Sequence, residues 1–178
     1  MIESLITSKT RVKILHRLFL NSGSKSYLRE MAKELNENTN AIRIELNRFE
    51  EAGLITSEFE TNKKYFKANT KHPFYESINS ILKKNVGIDQ IIERITRQIG
   101  DLQEAYITGS LAEGINSDKI ELLLIGQNLD DDYIKNLVEK AGKLMSREIN
   151  YLILSGEQRT NFLESKPFLL IWKKDDNQ

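Results

Sequence analysis

The 178-residue chain contains no cysteine, which excludes disulfides and thiolate metal sites. Its two histidines, His16 and His72, are too few and too far apart in sequence for a zinc site. The longest apolar runs are a few residues, far short of a bilayer span. The opening MIESLITSKTRVK has no apolar core of the kind a signal peptide needs. No membrane partner is expected, and a cytoplasmic location is the default. What is present is ordinary for a globular protein, 39% hydrophobic and 29% charged, in a length that suits one medium domain or two small ones.

The formal net charge of zero hides an asymmetry. Residues 1–100 carry 17 Lys and Arg against 12 Asp and Glu, and the remainder carries 9 against 14. A basic half joined to an acidic half points to two modules with different partners, the basic one suited to nucleic acid.

Apolar periodicity orders the first module. A helix starts near Ser8 and runs to Asn21, NSGSK is a loop, and a second helix covers Tyr27–Leu35. After the polar turn Asn36-Glu37-Asn38 a third helix spans Thr39 to Ala52, with Ile42, Leu46 and Phe49 on one face and Gly53 closing it. LITSEF and KKYFKA, separated by ETN, then read as a β-hairpin. His72-Pro73 marks a boundary, because the residue before proline avoids the helical region. Two helices follow, Phe74–Lys84 and Ile88–Ile99, the second with an isoleucine stripe at 88, 91, 92, 95 and 99. Beyond Gly100 strands are predicted at Glu104–Thr108, Lys119–Ile125, Glu148–Leu154 and Phe168–Trp172, with helices at Asp131–Met145 and Gly156–Leu163. That alternation predicts an α/β layered domain, with Trp172 in its core.

The run LREMAKELNENTNAIRIELNRFEEAGLI, with the hairpin after it, resembles the winged helix-turn-helix family. The resemblance implies that the third helix enters the major groove, where Asn and Arg read base edges. With Ile42, Leu46 and Phe49 turned inward, the face offered to DNA is Thr39, Asn40, Arg43 and Asn47. Lys63, Lys64 and Tyr65 on the hairpin, and Lys25 and Arg29 at the start of the second helix, are the phosphate candidates. The expected partner is double-stranded DNA, bound by a homodimer, since one winged helix covers a half-site. A competing reading makes both halves protein-interaction modules without a DNA target.

The run ITGSLAEGINSDKIELLLIG resembles the glycine-serine motif and following strand of polymerase-β-type nucleotidyltransferases. In that family a Gly-Ser turn holds a triphosphate, an Asp-x-Asp strand and a third carboxylate bind two Mg²⁺, and the ions activate the attacking hydroxyl. The resemblance places Gly109, Ser110 and Gly114 in the glycine-rich part, Lys119 and Glu121 on the two Asp positions, and Asn150 on the third. An ammonium repels magnesium, and Asp118 points to the other face of the strand unless a β-bulge turns it. Lys119 is expected to pair with Glu121. Ser110 as a nucleophile is discounted, because neither histidine falls in this half.

The expected fold class is α+β: an N-terminal winged helix-turn-helix (1–70), a helical connector (71–100) and a C-terminal α/β nucleotidyltransferase-like domain with a mixed sheet (101–178). The expected function is a DNA-binding transcriptional regulator whose second domain is a pseudoenzyme with no catalytic residue, no metal and no cofactor. That domain would serve dimerisation, docking of a protein partner, or nucleotide sensing. The alternative is an active nucleotidyltransferase of the antitoxin type that modifies a partner protein.

Overall fold

Ser8 accepts a hydrogen bond from the Arg11 amide and starts α1 (Lys9–Phe19). The helix buries Val12, Ile14, Leu15, Leu18 and Phe19. No glycine stops it; instead Asn79 of α4 (Tyr75–Val86) donates to the Phe19 and Leu20 carbonyls at 2.6 and 3.1 Å. Those carbonyls have no further turn of helix to accept from, so the amide does what a C-cap would. Between these two helices lie β1 (Lys25–Tyr27), α2 (Leu28–Glu34), α3 (Thr39–Glu51) and the hairpin β2 (Ile55–Glu60) and β3 (Lys63–Ala68). The three strands form an antiparallel sheet in the order β1-β3-β2, whose inner face adds Ile55 and Phe66 to Met31, Ile42 and Leu46 in the core.

The structure is a computed structural model that describes residues 2, 5–95 and 99–174. The chain divides into two compact units, Met1–Val86 with Gly114–Asn116, and Gly87–Glu113 with Ser117–Gln178. Gly114 (φ +80°) belongs to the first unit: a Cβ there would lie 2.5 Å from the His16 carbonyl oxygen and 2.6 Å from the Arg17 Cα. Both the positive φ and that approach require glycine.

In the second unit α5 (Ile88–Ile95) is followed by β4 (Asp101–Thr108), α6 (Gly109–Ala112), β5 (Lys119–Gln127), α7 (Asp131–Met145), β6 (Glu148–Leu154), α8 (Gly156–Glu164) and β7 (Phe168–Lys173). The sheet is mixed, in the order β6-β5-β4-β7, with β5 and β6 parallel and the other pairs antiparallel. A parallel pair needs a crossover, and α7 supplies it, opened by the Asp130 side chain accepting from the Tyr133 amide. Leu122, Leu123, Leu124 and Ile125 are all buried, so both faces of β5 are covered. On one face Leu163 of α8 packs on Tyr106, Leu123 and Ile125. Arg159 fixes α8 there, its Nε 2.7 Å from Glu104 Oε2 and 2.9 Å from the Tyr106 hydroxyl. Burial, then the hydrogen bond to Glu104, pushes the Tyr106 hydroxyl above its ordinary pKa. The protein is therefore α+β, with a mixed sheet, as its sequence predicts. No helix among the described residues is long and apolar enough to cross a membrane.

Three local expectations are corrected. The loop and helix read over 21–35 contain β1, which pairs Ser26 with Phe66 and Tyr27 with Tyr65, so α2 begins only at Leu28. Trp172 is half-buried rather than core, because β7 is an edge strand. The helix drawn to Ile99 runs through residues 96–98, which lie outside the described residues, as does the side chain of Ile95; Ile88, Ile91 and Ile99 are buried.

Candidate functional site

Two places gather polar side chains, one in each unit. In the first, α3 and β3 flank a groove of about 640 Å³ lined by Arg29, Arg43, Asn47, Lys63 and Lys64, with Leu46 and Phe66 at its floor. The helix builds its half by periodicity: Ile42, Leu46 and Phe49 are buried, which leaves Arg43 and Asn47 exposed. Asn38 caps the helix, accepting from the Asn40 amide at 2.7 Å, and places Thr39 and Asn40 in the first turn. Arg29 and Arg43 carry no ion pair among the described residues.

The hairpin lysines differ. Lys64 is 2.8 Å from Glu50, and this hydrogen bond, with one from Ser57, holds the Glu50 carboxyl below the usual range. Lys25 lies on β1 rather than at the start of a helix and is bonded to Glu60, which raises its pKa. Lys63 sits 4.2 Å above the Tyr27 ring, and Tyr65 packs edge-on against Tyr27. Glu50, Glu58 and Glu60 carry no signal in the sequence, because their lysine partners come from other elements. Nor does Asn62, which reaches the groove from the tip of the hairpin.

In the second unit β4 ends at Thr108 and the chain turns into α6, a single turn. Gly109 has φ +67°, and a Cβ on it would lie 2.7 to 2.9 Å from the carboxylate atoms of Glu121. The Glu121 side chain thus rests against the glycine backbone. Thr108 and Asn150 are the register partners of Glu121, and Glu148 is the partner of Lys119, so these side chains share one face of the sheet. Ser110 is exposed beside them. Gly114 is not part of this group, since it packs on α1.

Lys119 does not pair with Glu121 as expected. Its Nζ is 3.5 Å from Glu148 Oε2, across to β6, and Asn150 donates to Glu148 Oε1 at 3.0 Å. The Asn150 amide, then the Lys119 charge, holds the Glu148 carboxyl below the usual range. Asp118 stays outside the strand: β5 and β6 keep register from Lys119 to Ile125 with no bulge. Among the described residues no three His, Asp or Glu gather as a metal site. With an ammonium inside the row, these residues do not fit the two-ion magnesium centre that the resemblance implies.

No family model and no curated protein matches the chain. Among solved structures it is similar to the toxin-antitoxin with AMP-PNP, at 16% identity over 51% of this chain and 77% of that one, TM-score 0.42. It is also similar to a candidate nucleotidyltransferase from Sulfolobus solfataricus, at 19% identity over 52% and 84%, TM-score 0.38. A third is reduced HlyU from Vibrio cholerae, at 14% identity over 55% and 86%, TM-score 0.35. The expectation of a pseudoenzyme is corrected at this point. One of these similar structures is a candidate nucleotidyltransferase. The expectation rested on counting carboxylates at aligned strand positions. That count left out Glu148, which stands in the same row.

Proposed function

We propose that the first unit binds double-stranded DNA as a winged helix-turn-helix and that the chain is a transcriptional regulator. The observation that carries this is the groove beside α3, where Arg29 and Arg43 stand without acidic partners among the described residues, next to Asn47 and Lys63. Arg and Asn at the exposed face of a helix have the donors and acceptors to read guanine and adenine edges, and Arg29 and Lys63 supply positive charge for phosphates. A dimer would cover two half-sites. Selection from a random duplex pool should return a preferred sequence. Arg43→Ala should then cost about 1–3 kcal/mol on that sequence and relax the preference at one position. Failure to retain any duplex at low salt would remove this reading.

A second reading is favoured by the contact of Glu121 with Gly109. In it the second unit transfers a nucleotidyl group to a partner protein, as an antitoxin-type nucleotidyltransferase does. Gly109, Ser110 and Glu121 would face the nucleotide, with Lys119, Glu148 and Asn150 beside them. Incubation with labelled nucleoside triphosphates and the products of neighbouring genes tests it. Label should appear on a partner and be lost in Glu121→Gln; label that persists in that variant would count against the assignment.

A further inference from the structure

Alternate residues of a strand share a face, and the register puts Lys25, Lys63 and Lys67 on the outer face of the first unit's sheet together with Glu58 and Glu60. The acids neutralise two of the three lysines: Lys25 is bonded to Glu60, and Lys67 lies 3.0 Å from Glu58. On the inner face Lys64 is held by Glu50 at 2.8 Å. Glu58 and Glu50 are held below the usual carboxylate range by their lysines. A lysine that left its glutamate for a phosphate would leave a bare carboxylate facing the same polyanion. The pair as a whole therefore brings no net charge to the duplex. Arg29, Arg43 and Lys63 have no such carboxylate among the described residues.

We propose that the sheet lysines other than Lys63 are neutralised by glutamates of the same unit, so that net attraction to a duplex comes from Arg29, Arg43 and Lys63 and the choice of sequence rests on α3. This inference rests on the duplex-binding reading above. It has a numerical consequence, because binding to B-DNA falls with salt as the number of phosphates neutralised. Three effective cations give a slope of log affinity on log salt of about −3, whereas counting every Lys and Arg of the groove and sheet gives about −5. The low slope also means weak binding to unrelated DNA.

The experiment uses the full chain, its selected duplex and a shuffled duplex of the same composition, with affinity read by fluorescence anisotropy across roughly 50 to 200 mM KCl. Glu58 and Glu60 are exposed, so the double variant Glu58→Gln/Glu60→Gln keeps the fold, which circular dichroism checks. Its slope should steepen by nearly two, so that it loses roughly tenfold more affinity than the wild type over that range. The gain at low salt should be equal on both duplexes. A wild-type slope near −5, or an unchanged slope in the double variant, overturns the inference and leaves duplex binding standing. A wild type that binds neither duplex removes the proposed function and this inference with it.

Discussion

Glu45 is an acid on the face of α3 that otherwise buries Ile42, Leu46 and Phe49. It is 6% exposed, with Arg11 at 2.8 Å, Ser8 at 3.2 Å and Arg48 at 3.3 Å around its carboxylate. Burial pushes its pKa up, yet Arg11, Ser8 and Arg48 together outweigh it, and the net shift is downward. A depressed pKa gives stability that is present above the unfolded value, about 4.3, and is lost as pH falls through the folded one. Glu45→Gln should therefore unfold about 1–3 kcal/mol more easily than the wild type at pH 7 in urea titrations. That gap should shrink as pH falls below about 4.3 and through the lower folded value; a gap of unchanged size across that whole fall would mean the charge is irrelevant. At this scale the sequence is half informative. It puts Lys119 and Glu121 on one face because strand residues two apart must share one, and the register agrees. It misses that Lys119 reaches Glu148, because that glutamate arrives on the next parallel strand, beyond the whole of α7.

Elements built from local pattern were legible: α3, the hairpin, α7, α8 and the strands β4 to β7 follow from apolar spacing and turn residues. What escaped were elements made by distant partners. β1 is three residues long and exists because β3 pairs with it. The end of α1 is another case, since Asn79 accepts the role of cap from α4. Asn79 is 7% exposed, and Asn79→Ala would leave the Phe19 and Leu20 carbonyls buried without a donor. The expected cost is about 1–3 kcal/mol, read as a lower thermal midpoint. No change would mean that another group satisfies those carbonyls.

For the whole molecule, composition suggests two modules joined end to end. The basic-to-acidic change divides the chain near residue 100 and the His72-Pro73 step marks a boundary at 72–73, each a single cut. The units are instead threaded through each other in sequence, with Gly114–Asn116 counted in the first unit and the residues on either side of them in the second. No periodicity signals this, because three residues are too few to carry one. It depends on Gly114 fitting against the backbone of His16 and Arg17. The consequence reaches the gene. A breakpoint after the codon for Val86 strips three residues from the unit it means to preserve, and one placed after Asn116 carries β4 and α6 along with it. A cut that keeps either unit whole must therefore leave Gly114–Asn116 with the first unit and the residues on either side of them with the second.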